Sequence, residues 1–295
     1  MVVVRKRTVK GHTYYYLEHS IRKGNKIQKK EIFLGTRIPS NISELKYRLL
    51  NEVNRSKWYF EVEKIKENFS REQGKIPKSV REKELLSFAI RFTYDTQRIE
   101  GSTLTRRETA DLLERQITPS KRPLRDVKEA EAHRDLFYEI IESRKSLTLQ
   151  TVLDWHWKLF DQTKPDIAGR IRNYQVAISG SRFTPPLPVE VFPLLTDFFR
   201  WYNKSKNKVH PVEFAALAHL RFVTIHPFGD GNGRVSRLVM NFILSKMDFP
   251  MVDIPYERRN GYYNALERSQ TTQQDGTFLR WFIRNYIREN KRYLN

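Results

Sequence analysis

The sequence predicts a mainly α-helical fold: a helical bundle with one short β-hairpin flap and a small antiparallel β segment at its N-terminus. Three observations lead there. From Ile42 onward, apolar residues recur at helical spacing through most of the chain. That spacing stops between Pro165 and Pro188, where glycines and prolines punctuate a short alternating stretch. The residues before Pro39 are instead rich in β-formers.

Taken in order, residues 1–37 read as a basic, β-rich segment. Tyr14-Tyr15-Tyr16-Leu17 and residues 26–34 favour strands, Arg22-Lys23-Gly24-Asn25 is a turn signal, and with residues 2–7 they make two or three strands. Ten lysines and arginines here meet two acids, Glu18 and Glu31. Such a β-ribbon could touch nucleic acid or a protein partner, or simply be a solvated face with its aromatics packed on the body. Pro39-Ser40-Asn41 ends it, and Ser40 or Asn41 can cap the next helix.

Residues 38–78 read as a helical connector. Ile42, Leu45, Leu49, Val53, Phe60 and Ile65 fit one inward face, and the stretch from Gly74 to Pro77 breaks the helix. The core is placed at 79–295. A helix at about 80–101 turns Leu85, Leu86, Ala89 and Phe92 inward and has Gly101 as its C′ residue. Helices follow over 106–115, 127–144 and 149–162. Val176 and Ile178 alternate with small or polar residues, as in the strand of a flap. Helices resume at 189–202, 212–223 and 238–246, then at 258–270 and 277–288, with Asp275-Gly276 as a turn.

Composition narrows the function. The chain is 39% apolar and 13% aromatic, within the range of globular proteins. Its formal net charge of +20 favours a polyanionic partner such as nucleic acid, nucleotide or an acidic protein surface, unless it serves solubility alone. With no cysteine, disulfides, thiolate metal sites and thiol nucleophiles are excluded. Arg5-Lys6-Arg7 interrupts the N-terminal valines, and no apolar run of about 18 residues occurs, so a soluble cytoplasmic protein without a membrane span is expected.

The chemistry concentrates in His226-Pro227-Phe228-Gly229-Asp230-Gly231-Asn232-Gly233-Arg234-Val235-Ser236-Arg237. A loop that opens a helix offers free N–H groups and a positive dipole end to a phosphate. Gly231-Asn232-Gly233 can present successive N–H groups as an anion nest. Asp230 suits a Mg²⁺ ion shared with phosphates. Arg234 and Arg237, three apart, share a helix side and can fork onto phosphate oxygens. His226 has an ordinary pKa near neutrality, suited to taking a proton from a hydroxyl. No Walker A pattern occurs.

This stretch resembles the complete Fic (Fido) signature, His-x-Phe-x-Asp/Glu-Gly-Asn-Gly-Arg-x-x-Arg, with no defined position missing. The resemblance extends to Pro211-Val212-Glu213, residues 216–219, the segment 169–186 and Tyr263-Asn264-Ala265-Leu266, covering roughly residues 80–290. It implies a Fic-type helical bundle that moves AMP from ATP to the hydroxyl of a protein Ser, Thr or Tyr. His226 would be the base and Asp230 the Mg²⁺ ligand; Gly231, Asn232 and Gly233 would line the anion hole, and Arg234 and Arg237 would grip the β- and γ-phosphates. Kinase-like relatives carry an Ala-Asn-Lys-Arg type of loop, from which Gly231-Asn232-Gly233-Arg234 departs.

Thr96-Gln97-Arg98-Ile99-Glu100-Gly101 is similar to the family's inhibitory motif, Ser/Thr-x-x-x-Glu-Gly/Asn. This implies that Glu100 pairs with Arg237 and blocks productive ATP binding from within the chain. Val176 and Ile178 are expected to pair with an extended target segment. Tyr262, Tyr263 and Asn264 are candidates for the adenine pocket. Self-modification is expected among the products. Two rival readings stand beside this one. The first is a Fic-type transferase of another phosphate-linked group, or a de-AMPylase. The second is a nucleic-acid-binding regulator acting through residues 1–37. A homodimer stays open.

Overall fold

The computed structural model describes residues 2–23 and 26–294, so the expected turn at Gly24-Asn25 lies outside the described residues. The chain divides into two compact units, Met1–Glu63 and Lys64–Asn295.

In the first unit, β1 (Val2–Val9), β2 (His12–Lys23) and β3 (Lys26–Gly35) form one antiparallel sheet in that order. Lys10 and Gly11 both have positive φ, 49° and 78°, which suits the tight β1–β2 hairpin and escaped the sequence reading. The register aligns Val4 with Leu17 and Leu17 with Ile32, so one sheet face is apolar. It packs on Ile42, Leu45, Leu49 and Val53 of α1 (Ile42–Lys75). On the other face Arg7 binds Glu18 and Glu31 and lies 4.3 Å over the Tyr16 ring, while Phe33 touches Tyr14 and Tyr16.

Phe60 corrects an expectation: it is 74% exposed, not inward. At about 100° per residue, Phe60 continues the stripe of Ile42, Leu49 and Val53. Past Val53, among the described residues, the buried side chains of α1 are Trp58, Val62 and Ile65, which lie on the opposite side of the helix. The helix exchanges its buried face midway, and a single periodic stripe cannot express that.

The second unit is helical. After the end of α1 come α2 (Lys78–Ile99), α3 (Arg106–Arg115), α4 (Leu124–Glu142), α5 (Leu149–Phe160), α6 (Pro188–Ser205), α7 (Pro211–Ile225), α8 (Asn232–Lys246), α9 (Arg259–Thr272) and α10 (Gly276–Glu289). Thr105 and Glu108 start α3 with a capping box, and Gly101 follows α2 in the left-handed region at φ 93°. α8 begins at Asn232, six residues before the stretch expected at 238–246, and every residue from Arg234 to Leu244 is buried. A helix buried all round is a core helix; α2, α4, α5 and α7 all contact it.

The expected hairpin flap does not form. Val176 and Ile178 lie in an irregular loop with no helix or strand. Pro185, Pro186 and Pro188 cannot donate to a ladder. Side chains hold the loop instead: Arg172 donates to the Tyr174 and Pro186 carbonyls, Gln175 to Pro185, and Glu267 accepts from Ser181 and the Arg182 amide. Among the described residues, no helix is long and apolar enough to cross a membrane.

Two outcomes follow from the packing. Phe282 is fully buried in α10, so Phe282→Ala should cost about 3–5 kcal/mol in urea unfolding. Phe60→Ala should stay within about 0.5 kcal/mol of the parent. A large loss from Phe60→Ala would contradict its outward placement.

Buried histidines set a pH dependence. Burial pushes His133 and His219 down to about 3 and His156 down to about 4, from an ordinary 6.5. Between those limits the unfolded chain binds more protons than the folded one, so their contribution to stability is complete above pH 6.5 and falls with pH. Each histidine contributes up to about 1.4 kcal/mol per pH unit. Urea unfolding at pH 7 and pH 5 should therefore differ by on the order of 4–6 kcal/mol. A stability unchanged over that interval would contradict the burial of all three.

Candidate active site

The site is built where α7 ends and α8 begins. His226 is the C-cap of α7 in the left-handed conformation, φ 51°, uncommon for a residue with a side chain. Pro227 cannot continue the helix, and Arg172 fixes the turn: its Nε donates to the His226 carbonyl at 2.7 Å and its backbone N–H to Pro227 at 3.0 Å. The other Arg172 nitrogens hold Tyr174 and Pro186, so one buried guanidinium fastens the irregular loop to His226 through carbonyls alone.

His226 Nδ1 lies 3.2 Å from the Val223 carbonyl. A carbonyl only accepts, so Nδ1 carries the proton of the neutral ring and Nε2 keeps its lone pair. Burial is the main cause that lowers the imidazole pKa; the Val223 bond opposes it and the Arg172 charge adds to it. The ring is therefore neutral at physiological pH and able to accept a proton.

Asn232 closes the loop on itself. Its Oδ1 accepts from the Phe228 N–H and its Nδ2 donates to the Phe228 carbonyl, both at 2.9 Å. His156 braces the same loop from α5: Nε2 lies 3.0 Å from the Asp230 carbonyl, Nδ1 accepts from the Gly169 N–H at 2.9 Å, and the ring stacks on Phe228 at 3.8 Å. Gly231 is the N-cap of α8 at φ 79°, and no side chain caps this helix. The first N–H groups of α8 are thus left for an anion.

Asp230 is held by cations. Its Oδ2 lies 2.6 Å from Lys164 Nζ; its Oδ1 accepts from the Gly231 N–H at 2.5 Å and from Arg234 at 3.1 Å. Burial would raise its pKa, but Arg234 and Lys164 outweigh this and keep it well below the usual carboxylate range. Arg234 is buried and bonds Glu129 of α4, with Gln97 of α2 at 3.4 Å. Its cation also lies 4.4 Å over the Phe160 ring.

Arg237 is 1% exposed. Its Nη2 meets Glu100 Oε1 at 2.5 Å and the Thr96 carbonyl at 3.3 Å; Nε meets Thr96 Oγ1 at 3.2 Å, and Nη1 meets the Tyr262 hydroxyl at 3.4 Å. A Cβ on Gly233 would come within 2.2 Å of Glu100 Oε1, so the Glu100 carboxylate lies directly against the first turn of α8.

The structure thus brings His226, Asp230, Gly231, Asn232, Gly233, Arg234 and Arg237 together with Thr96 and Glu100. It separates the three adenine candidates. Tyr262 is buried and bonded to His219 and Arg237. Tyr263 is 43% exposed and donates to the Ile99 carbonyl. Asn264 lines a different cleft, between α9 and α10. Glu129, Lys164, Gln97, His156 and Arg172 escaped the sequence reading. Glu129 and His133 did leave a signal, as polar residues at inward positions of α4 beside Val127 and Ala130. Lys164, in a turn before Pro165, left none.

As a metal site, Asp230 offers one carboxylate, and no group of three or more His, Cys, Asp or Glu converges among the described residues. That donor set fits Mg²⁺ brought in by phosphates and does not fit a protein cage.

Residues 146–244 match the Fic/DOC family. The protein adenylyltransferase Fic of Drosophila ananassae is 35% identical over 179 residues, covering 59% of this chain and 35% of that protein. Its counterpart from Nematostella vectensis is 33% identical over 207 residues, 68% of this chain and 47% of that one. The chain thus spans between a third and a half of the length of these relatives. Among solved structures, Fic-1 from C. elegans aligns with a TM-score of 0.72 at 28% identity, covering 86% of this chain and 76% of that one. A Fic domain containing signalling protein from Bacteroides thetaiotaomicron aligns with a TM-score of 0.71 at 26% identity, covering 79% and 96%. The motif loop lies inside residues 146–244, the segment that matches the Fic/DOC family, and the helical fold is shared beyond it.

Proposed function

We propose that the chain is a protein adenylyltransferase, restrained by its own Glu100. The observation that carries the reading is the placement of a neutral His226 before an uncapped, arginine-flanked helix start, where a nucleotide's phosphates would lie. The hydroxyl oxygen of a target Ser, Thr or Tyr attacks the α-phosphorus of ATP, its proton passes to His226 Nε2, and the bond to pyrophosphate breaks. Transfer of this kind depends mainly on positioning and charge neutralisation. The N–H groups of Asn232 and Gly233 would donate to phosphate oxygens at the positive end of α8. Arg237 would bind the terminal phosphates. Arg234, engaged by Glu129 and Asp230, would hold the loop and lend its charge.

Asp230 would hold Mg²⁺ against the phosphates, and that ion would supply charge neutralisation at the leaving oxygens. Lys164, now on Asp230, would turn to Glu129, which it already meets at 3.1 Å. Tyr263, part exposed and bonded next to Glu100, would face the base. The names of the Drosophila and Nematostella relatives support AMP as the transferred group.

The brake reading rests on competition between anions. Glu100 occupies the Arg237 guanidinium and covers Gly233, the same cation and helix turn that a γ-phosphate would use. With labelled ATP and Mg²⁺, Glu100→Gly should raise transfer, including self-modification, by about tenfold or more, equivalent to ~1.4 kcal/mol. His226→Ala should abolish it in either background. Equal rates in the parent and Glu100→Gly would remove the brake; transfer surviving in His226→Ala would remove the base. Mass analysis of the product identifies the group transferred.

The loop carrying Val176 and Ile178 would orient the target. Its backbone is not committed to a ladder, so it can bond an extended segment of another protein. Val176→Pro or Ile178→Pro removes one donor and should slow target modification several-fold while leaving ATP affinity unchanged. Full activity in both variants would count against strand pairing.

A further inference from the structure

Away from the motif loop, α9 and α10 enclose a cleft of about 420 Å³. Four arginines line it: Arg268 from α9 and Arg280, Arg284 and Arg288 from α10. The three on α10 are spaced i, i+4 and i+8, so they share a helix face, where like charges repel. Among the described residues no Asp or Glu lines the cleft, and Arg268, Arg284 and Arg288 form no ion pair. Elsewhere this protein matches its clustered arginines with acids, as Glu129 and Asp230 match Arg234. The cleft therefore concentrates positive charge, and Arg268, Arg284 and Arg288 leave their compensation to something outside the chain.

Its remaining lining narrows the ligand. Trp281 presents part of an indole ring. Asn285 is 3% exposed; its Nδ2 donates to the Asp253 carbonyl at 2.9 Å, and its Oδ1 has no partner. A buried acceptor of this kind lacks a donor that a ligand hydroxyl or amine can supply. From Thr277 to Arg288 the helix face extends about 16 Å, longer than a single phosphate needs.

We infer that this cleft is a second, non-catalytic phosphate-binding site, built for a ligand with several phosphate groups along its length. Arginine forks suit phosphate oxygens, and the indole ring and free amide oxygen suit the sugar or base that accompanies them in nucleic acid. Two sources share this chemistry: a free oligophosphate and the phosphodiester backbone of a single strand.

The test measures binding of inorganic tripolyphosphate and, separately, of a short oligothymidylate to the full chain at several salt concentrations. The parent is compared with Arg284→Gln/Arg288→Gln and with a control in the basic sheet, Arg5→Gln/Lys6→Gln. Both cleft arginines are exposed, so the fold should survive. The expected result is roughly tenfold weaker binding in the cleft variant, with the salt slope for the oligonucleotide reduced by about two, and little change in the control. Loss for both probes assigns the site to phosphate chains in general; loss for the oligonucleotide alone assigns it to a nucleic-acid strand. The inference is overturned if neither probe binds, if the two double variants behave alike, or if poly-glutamate binds as tightly and is lost equally.

Discussion

Two guanidinium groups buried at the start of α8 govern this structure. Arg234 and Arg237 are 3% and 1% exposed, and a buried charge is tolerated only where an opposite charge and full hydrogen bonding meet it. Their partners come from separate parts of the chain: Glu129 from α4, Glu100, Thr96 and Gln97 from α2, and Asp230 from the loop itself. The demand for neutralisation therefore ties helices distant in sequence to one helix end. The rest of α8 is buried for a different reason, since Leu238, Val239, Met240, Phe242, Ile243 and Leu244 are apolar.

A different logic holds His226. Among the described residues, no carboxylate hydrogen-bonds its ring. Arg172 binds its carbonyl, Val223 accepts from its ring, and burial keeps the imidazole neutral. The Glu100 and Asp230 carboxylates favour the protonated ring, but burial outweighs them, so the imidazole stays uncharged until a proton arrives. The same Arg172 anchors the loop that would present a target, so His226 and that loop are positioned by a single side chain.

Much of this was legible in the residues. Apart from the start of α8, which is buried all round, helical period, caps and breakers located the helices of the second unit to within a few residues, because amphipathic helices write their buried face into the sequence. The twelve-residue stretch from His226 to Arg237 was legible because adjacency in sequence is adjacency in space there. What could not be read required three-dimensional neighbours. Lys164 and Glu129 reach Asp230 and Arg234 across 66 and 105 positions. Phe60 was misplaced because α1 changes its buried side midway. Val176 and Ile178 alternate like a strand, yet the prolines after them and the side-chain clasps around them leave no ladder for them to join.

Arg237 gives the site a property beyond catalysis. Among the described residues Glu100 is its one acidic partner, so withdrawing that carboxylate strands a cation in the protein interior. An open, empty state is costly, so the helix start would behave as an exchange site between anions. Under the proposed function, relief of restraint would be a swap of anions, whose balance point would shift with nucleotide concentration. A signal would then need only loosen the end of α2 by a small amount, because incoming phosphates would supply the charge that the departing carboxylate removes.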